Sequence, residues 1–161
     1  MTLSAGDRVP EVTLFESGDG GPKPVGTAEL FAGRKVVLVG MPGAFTPTCH
    51  RNHLPGFLEN RDSILEKGVD EIILLTTNDT FVLRAWAEAT GASGRIRFVS
   101  DGNAEFVRKA GLELDNTARG MGIRAKRFAM IVDDGVVTSL AAEDMPGQTT
   151  VSSAAHILEQ L

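Results

Sequence analysis

The chain has 161 residues, a formal net charge of -5, 42% hydrophobic and 23% charged residues, and one cysteine. That length suits a single domain, 1–161, able to bury roughly 68–70% of its unfolded surface without disulfide support. The acidic balance argues against a dedicated nucleic-acid binder, and a lone cysteine excludes an internally disulfide-stapled secreted scaffold. The opening MTLSAGDRVPEV lacks a basic start followed by an apolar core, so no signal peptide is expected. The longest apolar run, about six residues near Val36, falls short of the ~20 that span a bilayer. A cytoplasmic protein without membrane attachment is expected.

Pro10 to Glu16 reads as a strand, and GDGGPKP, Gly18 to Pro24, as loop. Thr27 to Ala32 reads as a helical turn, and the β-branched run KVVLVG, Lys35 to Gly40, as a strand buried on both faces. A helix is expected from Thr46 to about Lys67, kinked at Pro55-Gly56 and stopped at Gly68. Val69 to Thr77 is a second buried strand. Asn78 or Asp79 then caps a helix running to Glu88, with Phe81, Ala85, Trp86 and Ala89 on one face. Ile96 to Val99 is a short strand, and Ser100 to Asn103 turns into a helix ending at Gly111. Lys126 to Val132 and Val136 to Leu140 flank Asp133-Asp134-Gly135, a hairpin signal. A last helix covers Thr150 to Leu161, with a Val151, Ala154, Ala155, Leu158 stripe. Strands alternating with helices predict an α/β fold with a mixed sheet and helices on both sides. Strand order is not legible.

The segment MPGAFTPTCHRNHLPGF, Met41 to Phe57, places the only cysteine where a helix begins. Thr46 has a capping side chain and Pro47 suits the first helical position, so Cys49 falls in the first turn. Free N–H groups and the helix dipole favour an anion there, and thiolate is the reactive form of cysteine. A buried structural cysteine is the alternative. The Thr46 hydroxyl has two options: capping the Cys49 N–H, or facing the sulfur or a substrate oxygen. Pro42 would shield and stiffen the approach. His53, four residues after Cys49, shares its helix face and admits three roles: support of a bound oxygen, the base of a cysteine hydrolase, or, with Cys49 and His50, a zinc ligand. The zinc pattern lacks a second cysteine, and no metal or cofactor is expected. A second cluster, ARGMGIRAKRFAM, gathers Arg119, Arg124, Lys126 and Arg127. In a strand Lys126 and Arg127 face opposite ways, so only one can enter a pocket. The cluster is either such a pocket, a solvated edge strand or an RNA-phosphate patch.

These residues resemble the peroxiredoxins, and among them the type II, peroxiredoxin-5-like group. Pro42, Thr46 and Cys49 match the pattern PxxxTxxC, and PGAFTPTC with HLPGF behind it matches at more positions. NDTFVLRAW, DGNAEFVRKAGLELD and KRFAMIVDDGVV are similar in the same order, so the likeness spans nearly the whole chain. The resemblance implies a thioredoxin-like fold and a thiol peroxidase for hydrogen peroxide and alkyl hydroperoxides. It implies Cys49 as the peroxidatic cysteine and Thr46 as hydrogen-bonding sulfur and peroxide. It gives Pro42 the shielding role and Arg127 that of polarising thiolate and peroxide. His53, Gly43 and Phe45 support the site, and Lys126 faces away. Some members carry a resolving cysteine in the strand holding Leu74, and others one near the C-terminal part; here no cysteine follows Cys49. An external thiol is therefore implied, glutathione with glutaredoxin ahead of thioredoxin. The family commonly forms homodimers, with Phe45 and Phe81 as candidate contacts. His50 stands where members often have serine. A redox-sensing or chaperone module without turnover is the non-enzyme alternative.

Overall fold

The computed structural model describes residues 2–161. In chain order the elements are β1 (Thr13–Gly18), β2 (Gly21–Gly26), α1 (Thr27–Phe31), β3 (Lys35–Gly40), a π-helical turn (Cys49–His53), α2 (Leu54–Glu59), α3 (Arg61–Glu66) and β4 (Glu71–Thr76). They continue with α4 (Thr80–Thr90), β5 (Arg97–Ser100), α5 (Glu105–Ala110), β6 (Glu113–Asp115), a 3₁₀ turn (Thr117–Arg119), β7 (Ile123–Ala125), β8 (Phe128–Asp133), β9 (Val136–Ala142) and α6 (Ala154–Gln160). The main sheet is mixed, ordered β2-β1-β5-β4-β3-β8-β9, with β6 and β7 forming a separate ribbon. β3, β4 and β5 are mutually parallel, and β8 lies antiparallel to β3. None of the described helices is long and apolar enough to cross a membrane.

The central strands are apolar at every position because both faces are covered. Along β3, Val36 and Leu38 join the cluster packed on Phe31, Phe106 and Val107, while Val37 and Val39 join the one containing Leu54, Phe57, Trp86 and Ile157. Cys49 belongs to the second cluster. It follows the carboxyl end of β3, which is flanked by the parallel β4 and the antiparallel β8. Such sheet ends are open to ligands in α/β folds.

The expected loop at Gly18 to Pro24 is instead the turn into β2 and most of that strand. Pro22 and Pro24 mask it in the sequence, yet β2 is an edge strand, where a missing N–H facing outward leaves no ladder bond unmade. The predicted hairpin is present: Asp134 and Gly135 have φ of 47° and 80°, the left-handed pair a two-residue turn needs. The strand expected from Lys126 begins instead at Phe128, and Lys126 and Arg127 lie in the bend between β7 and β8.

The helix expected over residues 46–67 is three pieces. Pro55 has no N–H to donate to the carbonyl of Arg51, and its ring crowds that turn. The chain widens ahead of it, so the Leu54 N–H bonds the Cys49 carbonyl, five residues back. Asn60 then separates α2 from α3. In α4 the cap is Asp79, whose carboxylate accepts from the Val82 N–H. Its buried face is Thr80, Leu83, Trp86 and Ala87, whereas Phe81, Ala85 and Ala89 point to solvent. The C-terminal stripe is likewise displaced: Val151 and Ala155 are exposed, and α6 buries Ala154 and Ile157. Residues 150–152 are drawn out of helical conformation by Glu143, described below.

Candidate active site

The site assembles where the Met41–Cys49 segment meets the β7–β8 bend. Three bonds around Gly43 and Thr46 start the helix: the Thr46 hydroxyl donates to the Gly43 carbonyl at 2.7 Å, the Thr46 N–H reaches the same oxygen at 3.5 Å, and the His50 N–H bonds the Thr46 carbonyl at 2.8 Å. No hydrogen bond joins the hydroxyl oxygen to the Cys49 N–H. The hydroxyl proton is committed to Gly43, leaving its lone pairs as acceptors. Cys49 lies ahead of the first N–H of the helical ladder, so its own N–H is one of the unpaired first-turn donors.

The loop before it is held from both sides. The Pro42 carbonyl accepts from Arg124 Nη1 at 3.2 Å, and the Ala44 N–H donates to Asn78 Oδ1 at 2.9 Å. Gly43 leaves room for that arrangement: a Cβ there would lie 2.9 Å from Arg124 Nη1 and 3.1 Å from Thr46 Cγ2. Phe45 adopts a left-handed backbone, φ 62°, at the turn into the helix. Its half-exposed ring stacks on His50 at 5.6 Å, and His50 Nδ1 accepts from Trp86 Nε1 at 2.9 Å. His50 thus joins the loop to α4, with Nδ1 committed to Trp86.

Cys49 is fully buried. Arg127, also buried, donates from Nη2 to Cys49 Sγ at 3.0 Å, from Nη1 to His53 Nδ1 at 3.0 Å, and from Nε to the Pro146 carbonyl at 2.9 Å. Lys126, its neighbour, is exposed. His53 completes the array by placing Nε2 against the Ser152 carbonyl at 2.7 Å. An acceptor at Nε2 and a guanidinium donor at Nδ1 select the neutral tautomer protonated at Nε2. Burial, with the Arg127 charge reinforcing it against the pull of the Ser152 carbonyl, lowers the His53 pKa to about 3. Both ring nitrogens are engaged, and neither bonds the sulfur. The hydrolase and zinc readings that spacing left open therefore lose their base and one ligand. Cys49 and His53 do lie on one side of the turn, as their spacing predicts, but the Arg127 guanidinium bonds both and stands as their shared neighbour.

Of the residues singled out in the sequence, Cys49, His53 and Arg127 are joined directly by hydrogen bonds, Thr46 and Gly43 are bonded to each other in the turn that leads to Cys49, Pro42 is tied to Arg124, and Phe45 is half-exposed beside them. Asn78, Pro146, Ser152 and Glu143 were not foreseen in that setting. Asn78 was legible only as a helix cap, and Pro146 and Ser152 act through carbonyls, which any residue possesses.

The fold agrees with the comparisons. The Redoxin family profile matches residues 4–158. Peroxiredoxin-2E-2, chloroplastic, of Oryza sativa subsp. japonica is 46% identical, covering 99% of this chain and 73% of that protein. Peroxiredoxin-2B of Arabidopsis thaliana is 44% identical, covering 99% and 98%. The structure of reduced Prx3 from Vibrio vulnificus in complex with hydrogen peroxide superposes with a TM-score of 0.93 at 43% identity, covering 99% of each chain. The chain belongs to the peroxiredoxin family, with its thioredoxin-like fold. It is an enzyme, a peroxidase that works by oxidation of a cysteine thiol.

Proposed function

We propose that Cys49 is the peroxidatic thiol, reducing hydrogen peroxide and alkyl hydroperoxides. The observation that carries this is the Arg127 Nη2 to Cys49 Sγ contact of 3.0 Å between two buried side chains. Cys49 thiolate attacks the distal peroxide oxygen; the S–O bond forms as O–O breaks, and the leaving oxygen takes a proton to become water or an alcohol. Cys49 is oxidised to sulfenic acid. Thr46 Oγ1, with its proton held by Gly43, accepts the peroxide O–H. The Cys49 N–H and Arg127 donate to the oxygens as negative charge moves onto them, which is electrostatic preorganisation. Pro42 closes the pocket wall. Nucleophilicity falls as thiol pKa falls, so this geometry must supply more than thiolate alone.

With no second cysteine in the chain, the sulfenic acid condenses with an external thiol to a mixed disulfide and water, and a second thiol releases Cys49. Glutathione with glutaredoxin fits better than thioredoxin, because a tripeptide thiol reaches a buried sulfur more readily than a folded protein does. A reducing compartment such as the cytoplasm keeps that thiol available. A homodimer through the exposed Phe45 and Phe81 rings, 50% and 67% accessible, would cover apolar surface beside the pocket.

The test is an intact-mass titration with one equivalent of hydrogen peroxide and a sulfenic-acid trap, beside Cys49→Ser. Rapid, complete adduct formation that the variant abolishes is expected. Oxidation at the rate of an ordinary thiol would return the chain to a redox-sensing role without turnover. Turnover with thioredoxin but not with glutaredoxin would overturn the reductant.

A further inference from the structure

Arg127 meets the sulfur through a side chain with several rotatable bonds, whose orientation has to be held. Two of its three contacts depend on the segment 143–152, directly through the Pro146 carbonyl and indirectly through the Ser152 carbonyl on His53. That segment is a strap with exposed residues from Asp144 to Gln148 and no strand or helix to fix it. One side chain closes it. The Glu143 carboxylate, buried under the strap, accepts from the Thr150 N–H at 2.8 Å, the Thr150 hydroxyl at 2.9 Å, the Ser152 N–H at 2.7 Å and the Ser152 hydroxyl. Its own N–H donates to the Arg127 carbonyl at 2.9 Å. Glu143 therefore grips both ends of the system: the backbone of the arginine, and the far end of the strap that carries the histidine's acceptor.

We infer that Glu143 is a positioning residue for the peroxidase reaction, acting on Cys49 only through the strap, His53 and Arg127. The inference rests on the reading of Arg127 and Cys49 as the reacting pair. The carboxylate is held as an anion: burial is the largest single effect and raises its pKa, but the hydrogen bonds from Ser152 and Thr150 together outweigh it and bring the pKa to about 2. Every member of the relay is then fixed in charge and tautomer through the neutral range. The Glu143 carboxylate accepts, Ser152 O accepts, His53 carries its proton on Nε2, and Arg127 donates at each nitrogen. A structural glutamate would lower stability when removed. A positioning glutamate lowers the rate only while Arg127 is there to be positioned.

The experiment is a double-mutant cycle on the pre-steady-state rate of Cys49 with hydrogen peroxide, using Glu143→Ala and Arg127→Gln. Glu143→Ala is expected to slow the wild-type reaction at least about tenfold and to add nothing in the Arg127→Gln background. Nitrogen NMR of His53 should show the Nε2–H tautomer giving way to a mixture. Glu143→Gln serves if the alanine variant does not fold, since its amide oxygen can take the place of Oε2 and its NH₂ can face the Thr150 hydroxyl. It should show a smaller loss, again only with Arg127 present. Equal slowing in both backgrounds, or no slowing in the variant that folds, overturns the role of Glu143. Arg127→Gln reacting as fast as wild type would instead overturn the site reading on which it rests.

Discussion

Two segments hold Cys49 and the Arg127 guanidinium that bonds it, and they do so by opposite means. The Pro42–His53 segment uses side chains whose identity is the chemistry: a hydroxyl with its proton committed, a thiol, and an imidazole, held on a loop shaped by Gly43 and Phe45. The strap 143–152 uses backbone carbonyls, from Pro146 and Ser152, aimed by one buried carboxylate. The first segment resists substitution position by position. The second tolerates most substitutions so long as its path is kept, which places its weight on Glu143.

The comparison breaks most visibly at Arg127, where the two segments meet. Arg127→Gln removes the donor to sulfur along with the contacts to His53 and Pro146. It should lower the rate with hydrogen peroxide by about 100- to 1000-fold, the size seen when one preorganised charge-stabilising donor is lost. Stopped-flow measurement of the first oxidation step decides this. A loss under tenfold would mean that the first-turn N–H and Thr46 do most of the stabilising, and that the strap holds a bystander.

The same contrast explains what could be foreseen. Cys49 was legible because a threonine, a proline and a cysteine at fixed spacing mark a helix start by local rules, although the Thr46 hydroxyl bonds the Gly43 carbonyl instead of capping the Cys49 N–H. Arg127 was legible by resemblance and alternation, although it sits in a bend rather than in a strand. The helix through His53 was misjudged because Pro55 acts backwards, widening the preceding turn instead of kinking its own. β2 was hidden by Pro22 and Pro24, whose effect depends on which strand is an edge, a tertiary fact. The displaced faces of α4 and α6 share a cause. Apolar periodicity names a set of candidates, and neighbours choose among them: Phe81 gives way to Leu83, and Val151 is pulled into the strap with Thr150 and Ser152. Glu143 had no sequence signal, since its partners are seven to nine residues away in an irregular segment.

A second prediction separates the segments by pH. The folded protein keeps His53 neutral to about 3, while the unfolded chain protonates it at its ordinary value of 6.5. Below 6.5 the unfolded state binds a proton that the folded state refuses. His53 alone should then make stability fall by about 1.4 kcal/mol per pH unit as pH drops from 6.5 toward 3. His53→Gln, which can still donate to Ser152, should flatten the urea midpoint against pH in that window. Equal slopes in the two proteins would mean that the imidazole protonates with the fold intact, and that its bond to Arg127 yields easily.

The smallest effect expected is at Ser152, and its smallness is informative. Ser152 serves the site twice: its carbonyl accepts from His53, and its hydroxyl donates to Glu143. Ser152→Ala deletes only the hydroxyl. Glu143 keeps the Ser152 N–H and both Thr150 donors, so no charged oxygen is left without a partner. The loss should be about 1.5–3 kcal/mol of stability, the net worth of one hydrogen bond to a charged group. The peroxide rate should stay within about twofold of wild type, because the interactions made in the transition state are untouched. A large rate loss at Ser152 with Glu143→Ala mild would reverse the division drawn between the segments, placing the strap's control in a side-chain hydroxyl rather than in its backbone path.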